Sequence, residues 1–196
     1  MGRRISVPLW AAVFSFLIGA LTLKFAYADP PYLGCARFYA QHHPDAMIWD
    51  DPETHRGLIE RLTVEYPDGW AMSASVPSLQ TLLPMLPDGC RVCSWVKPFA
   101  FFKPGVRVAY AWEPVILRGG RKRTYEQPTI RDWLSCNVRM KRGEGFKGAK
   151  PDAFAVWILD LLNVQEGDQF DDLFPGSGVI GQHALARTGA SVLEAA

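Results

Sequence analysis

From Lys24 onward, apolar runs alternate with amphipathic or turn-rich segments, and this alternation constrains the fold more than any other feature of the chain. Strand-length runs separated by helical patterns predict an α/β sheet. The expected strands cover residues 24–28, 70–75, 91–96, 108–117, 169–174 and 190–193. The clearest helix covers 152–163. Its Phe154, Trp157, Ile158, Leu161 and Leu162 recur at the spacing of one helical face packed on a sheet. Gly167 follows that helix and permits the turn into the next strand. A second helix is expected from Gly178 to about Arg187. Residues 58–62 and 79–86 read as crossover pieces, the latter stopped by Pro84 and Pro87. With 196 residues, a single domain with a substantial core is expected.

Charge excludes one class of function. The 21 basic and 20 acidic residues leave a net charge of +1, so the chain is not a uniformly basic polyanion-coating protein, although a local patch remains open. Residues 118–150 hold ten basic residues against three acidic ones, with five glycines and little apolar periodicity. That stretch reads as an insertion or mobile loop. Within it, Arg121, Lys122 and Arg123 are candidates for phosphate contact, a solvated face being the bland alternative. Four cysteines are too sparse for a disulfide scaffold and suggest reduced thiols in a cytoplasmic protein. Cys90-x-x-Cys93 falls in an expected strand, where positions three apart face opposite ways and cannot share an ion. No metal site is therefore expected. His42-His43, beside Pro44, reads as loop surface.

The N-terminus points another way. Arg3-Arg4 precedes an uncharged run over residues 7–23, and Ala26-Tyr27-Ala28 has the small-residue pattern of a cleavage site. Read alone, this is an export leader or a membrane segment. Yet cleavage after Ala28 would delete an expected strand and leave the next residues at a frayed end. An extra N-terminal helix, or an upstream start that adds nothing to the fold, is the competing expectation.

Two motifs carry chemistry. Asp29-Pro30-Pro31-Tyr32 stands at the carboxyl end of the first strand, where ligands bind in open α/β sheets. The prolines fix φ and withhold N–H groups, leaving carbonyl acceptors. Asp29 adds a carboxylate and Tyr32 a flat ring, a set that suits an exocyclic amine on a planar heterocycle. A plain Pro-Pro turn is the alternative. The second motif is Asp171-Asp172-Leu173-Phe174-Pro175-Gly176-Ser177-Gly178, in which a strand enters a glycine turn that opens a helix. This is the architecture that cradles nucleotide cofactors. Gly181 completes a G-x-G-x-x-G spacing, and Glu194 stands where an acidic partner for a ribose hydroxyl belongs. A nicotinamide enzyme normally carries this fingerprint at the start of its domain, whereas here it is at the end.

The pair of motifs in this order, joined by Lys150-Pro151, resembles the permuted class of S-adenosylmethionine-dependent DNA amino-methyltransferases. The resemblance spans roughly residues 24–194. It implies a Rossmann-like class I methyltransferase fold, a mostly parallel sheet with flanking helices and circularly permuted motif order. It also implies methyl transfer from S-adenosylmethionine to adenine N6 in double-stranded DNA, the adenine being extruded from the stack. By this likeness Asp29, Pro30, Pro31 and Tyr32 form the target-base motif. Lys150, Pro151, Asp172, Phe174, Gly176, Ser177 and Gly178, with Glu194, lie on the cofactor side. Such a chain acts as a monomer or homodimer and uses no metal. Cytosine N4, a small-molecule acceptor and a non-DNA nucleotide cofactor remain the alternatives. No long target-recognition segment accompanies the motifs, so no DNA target sequence is implied.

Overall fold

The computed structural model describes residues 22–40, 44–99, 105–138 and 149–190. The first strand, β1 (Lys24–Ala28), is buried on both faces and alternates between two cores. Phe25 and Tyr27 point to one face of the sheet, Ala26 and Ala28 to the other. The remaining strands are β2 (Gly69–Ser73), β3 (Arg91–Val96), β4 (Trp112–Gly119), β5 (Trp133–Ser135) and β6 (Gln169–Asp172). They form one sheet in the order β5-β3-β4-β2-β1-β6. β1 pairs in parallel with β2 and β6, and β3 with β5, while β4 runs antiparallel to both β2 and β3. The sheet is therefore mixed, with a single reversed strand among the described ones.

Helices α1 (Pro52–Glu65) and α2 (Leu79–Leu82) cover one face. Leu58, Ile59 and Leu62 pack there with Trp70, Met72 and Ile116. Asp51 caps α1 by accepting from the Glu53 N–H, and Pro52 occupies the first turn, where its missing donor costs nothing. Helices α3 (Asp152–Leu162) and α4 (Val179–Thr188) cover the other face. The periodic stripe of α3 buries Phe154, Trp157, Ile158 and Leu162 against Tyr27 and Trp95. Asn163, with φ of 54°, ends α3 in a left-handed cap.

Three strand expectations shift: the strand expected at 70–75 covers Gly69–Ser73, and two others change more. The apolar run at 108–117 pairs only from Trp112, because Val108 and Tyr110 are exposed rather than packed. The run at 169–174 leaves the sheet after Asp172, as Leu173 and Phe174 turn to the core under α1. Residues 58–62 belong to a helix of 14 residues rather than a short crossover piece. The basic stretch is not simply an insertion. It contributes the end of β4 and the edge strand β5, and Gly120 and Arg121 donate to the carbonyls of Asp68 and Leu162. Of the expected strand at 190–193, residues 191–193 lie outside the described residues, as do His42-His43 and residues 7–21.

Cys93 packs in the core beneath α3, whereas Cys90, just before β3, packs against the opposite core. Cleavage after Ala28 would remove β1, which sits between β2 and β6. Among the described residues no helix is long and apolar enough to cross a membrane.

Candidate functional site

The parallel strands β1, β2, β3 and β6 end at one edge of the sheet, and the reversed β4 begins there. Asp29 follows β1 at this edge. Asp172 closes β6 beside it: Tyr27 pairs with Asp172, and the Leu173 N–H donates to the Tyr27 carbonyl at 3.0 Å. Neighbouring strands are about 4.8 Å apart. The two sequence motifs, more than 140 residues apart in the chain, therefore open onto the same edge.

Asp29 is held by two partners. The Lys150 ammonium donates to its Oδ2 at 2.7 Å and the Tyr32 hydroxyl to its Oδ1 at 3.2 Å. Lys150 lies immediately before α3, so the Pro151 cap of that helix sets it over the end of β1. Its ammonium also lies near the rings of Tyr32, Trp95 and Phe154, at 5.9, 5.8 and 5.7 Å from their centroids. Burial works against this charge, but the carboxylates of Asp29 and Glu113 outweigh it and hold the Lys150 pKa above the ordinary lysine value. Lys150, expected on the cofactor side, thus makes its ion pair with the base motif.

Glu113 was not among the sequence candidates. It enters at the start of β4, where its Oε2 accepts from the Tyr32 hydroxyl at 3.3 Å and its Oε1 pairs with the Lys97 ammonium. Burial, then the carboxylates of Asp29 and Glu113, push the Tyr32 phenol well above the usual tyrosine range. The available sequence signal was slight: Glu113 is an acidic residue near the start of a largely apolar strand. Only the reversal of β4 brings it to this edge.

On the neighbouring strand, the Asp172 Oδ2 accepts from the Gly181 N–H at 3.2 Å, while its Oδ1 is buried without a hydrogen-bond partner. Burial raises the Asp172 carboxyl from 3.8 to about 6 against the opposing effect of the Gly181 and Phe174 N–H groups. The turn that follows exposes Gly176 and Ser177. Gly176 and Gly178 adopt φ of 49° and 74°, which glycine alone takes up without strain. A Cβ at either would meet no other atom closer than 3.8 Å, so it is backbone conformation that demands glycine within the chain itself. Phe174 leaves the turn to pack on Trp49, with ring centroids 5.2 Å apart. The unpartnered oxygen and the open glycine turn fit an amino-acid ammonium and its adjoining atoms. Glu194 lies outside the described residues.

Arg121, Lys122 and Arg123 are at the other edge of the sheet. Arg121 forms an ion pair with Asp168, just before β6, and Arg123 donates to the Asp160 carbonyl near the end of α3. Lys122 is exposed, with its carbonyl toward the Asn163 amide. A five-residue strand spans about 17 Å, so these groups stand roughly that far from Asp29. The cationic heads of Arg121 and Arg123 make these contacts at the end remote from the two motifs, while the Lys122 side chain faces solvent. Among the described residues no cluster of three metal-ligating side chains occurs.

No family model matches the chain, and no curated protein matches it. Solved structures do. The crystal structure of the M1.HpyAVI–SAM complex aligns with a TM-score of 0.55 at 16% identity, over 90% of this chain and 83% of that one. A second structure, the crystal structure of M1.HpyAVI, aligns with a TM-score of 0.48 at 14% identity, over 90% of this chain and 82% of that one. The chain shares the fold of the M1.HpyAVI–SAM complex, a mixed six-stranded sheet flanked by helices.

Proposed function

We propose that this chain is an S-adenosylmethionine-dependent methyltransferase acting on adenine N6 in DNA, with the motif order of the permuted class. The observation that carries the reading is the meeting of Asp29-Pro30-Pro31-Tyr32 and the Asp172–Gly178 turn on adjacent parallel strand ends. One edge thereby holds both an amine-accepting pair and a cofactor cradle. The M1.HpyAVI complex, which contains SAM on a similar fold, supports the choice of cofactor.

When bound, S-adenosylmethionine supplies an electrophilic methyl group on a sulfonium. The chain does the rest by positioning. Asp172 is suited to receive the cofactor's ammonium, and Gly176, Ser177 and Gly178 let the backbone come close to it. An adenine amine is a poor nucleophile because its lone pair is delocalised into the ring. The Asp29 carboxylate and the Pro30 carbonyl each accept one of its hydrogens, drawing nitrogen toward pyramidal geometry. Lys150 keeps Asp29 aimed, and the Tyr32 ring, tethered through its hydroxyl, offers a face to the extruded base.

Calorimetric titration with S-adenosylmethionine and with NAD, followed by tritiated methyl transfer to unmodified DNA and nucleoside analysis, tests this. S-adenosylmethionine should bind and NAD should not, and the product should be N6-methyladenine. Asp29→Ala should reduce turnover by about a hundredfold to a thousandfold while cofactor binding persists. Full activity of that variant would refute the mechanism. N4-methylcytosine as product would keep the reaction class and overturn the base.

A further inference from the structure

Methylating an amine at a sulfonium forms one N–C bond and breaks one C–S bond, whose electron pair stays on sulfur. It also leaves one surplus proton on nitrogen. Under the reading above, on which this inference rests, Asp29 is the first group able to take that proton. Asp29 then needs an outlet. Its side chain is only 26% exposed, and a substrate amine has to approach through that opening. Lys150, on Oδ2, holds a full complement of protons and cannot accept another. The remaining polar neighbour is the Tyr32 hydroxyl on Oδ1.

That hydroxyl is shared. It reaches Asp29 Oδ1 at 3.2 Å and Glu113 Oε2 at 3.3 Å, so one hydrogen lies between two carboxylates from opposite parts of the chain. Both bonds are long, as catalytic hydrogen bonds often are before substrate closes a site. Glu113 is in turn paired with Lys97, whose ammonium sits 4.7 Å from the centre of the Trp95 ring. A purely structural pair across β3 and β4 would need only Lys97 and Glu113. It would not need a phenol joining it to Asp29.

We propose that Glu113 is the terminal proton acceptor of the reaction and that the Tyr32 hydroxyl carries the proton to it from Asp29. Asp29 takes the proton from nitrogen. Tyr32 passes its own hydrogen to Glu113 and recovers one from Asp29. The result is an ionised Asp29, an unchanged phenol and a protonated Glu113, whose side chain, 24% exposed, releases the proton to solvent.

Tyr32→Phe and Glu113→Gln keep ring and shape while cutting the path, and Glu113→Asp keeps the charge but shortens the reach. In single-turnover methyl transfer each should be slower by about a hundredfold with cofactor affinity unchanged. The Tyr32→Phe, Glu113→Gln double variant should be no slower than either alone, because both break the same path. A second readout needs no activity. Titration of the Tyr32 phenol by carbon-13 NMR should move to lower pH in Glu113→Gln, since burial still holds the phenol neutral but one of the two carboxylates that add to it is gone. An unmoved phenol, full rates in the single variants, or additive losses in the double variant would each overturn the relay. Failure of the wild-type chain to transfer methyl groups would overturn the functional reading and the proton exit with it. A working wild type with unimpaired variants would overturn the relay alone.

Discussion

Asp172 is held at a cost that its replacement should release. Burial raises its carboxyl from 3.8 to about 6, and one of its oxygens has no hydrogen-bond partner. A folded-state pKa roughly two above the unfolded value corresponds to about 3 kcal/mol of penalty on the ionised form. Because the shift is upward, the fold is most stable with Asp172 protonated. Its contribution is fully present below the unfolded value near 3.8 and is lost as pH rises through about 6. Asp172→Asn keeps an oxygen for the Gly181 N–H and removes the charge. At about pH 8 the variant should gain up to about 3 kcal/mol over wild type, a gain that shrinks steadily toward about pH 4. Any fixed cost of an unpartnered amide group would offset both ends equally, so the slope isolates the charge. Urea unfolding followed by tryptophan fluorescence across this range, without cofactor, measures it. A stability difference that does not change with pH would refute the reasoning. Under the proposed function, the same substitution should weaken S-adenosylmethionine binding, so that stability and activity move in opposite directions.

Gly176→Val places a β-branched residue at φ of 49° in the cofactor turn. It should weaken S-adenosylmethionine binding by calorimetry, and unchanged affinity would remove the turn from the cofactor site. Arg121→Ala strips the cation from Asp168, whose side chain is 1% exposed and otherwise bonded to the N–H groups of Leu23 and Gln165. It should destabilise the fold by up to about 3 kcal/mol in denaturant. DNA affinity of the folded variant should keep its salt dependence, and a flattened salt slope would instead make Arg121 a phosphate contact.

The elements legible in the amino-acid sequence are those written in local chemistry. The bounds of β1 and β3, and those of α3 to within a residue, follow from periods of two and 3.6 residues. The glycine turn after β6 follows from residue types that tolerate positive φ. Both motifs of the candidate site stand out in the sequence for the same reason, since each is a short contiguous segment of distinctive residue types. Where local apolarity misled, as at Val108 and Tyr110, no neighbouring strand was there to bury it. Pairing across the sheet leaves no comparable mark on either partner. Nothing near Glu113 announces that β4 runs backwards and delivers it to a tyrosine 81 positions away. Nothing near Lys150 announces Asp29, 121 positions distant. Nothing near Arg121 announces Asp168, 47 positions distant. Side-chain type and spacing determined which candidate motifs the chain carries. The ion pairs within α1, Arg56–Glu53 and Arg61–Glu65, follow from helical spacing. Long-range strand order decided which charged groups meet at the candidate site, because those pairs depend on where two backbones pass and not on the residues beside either partner.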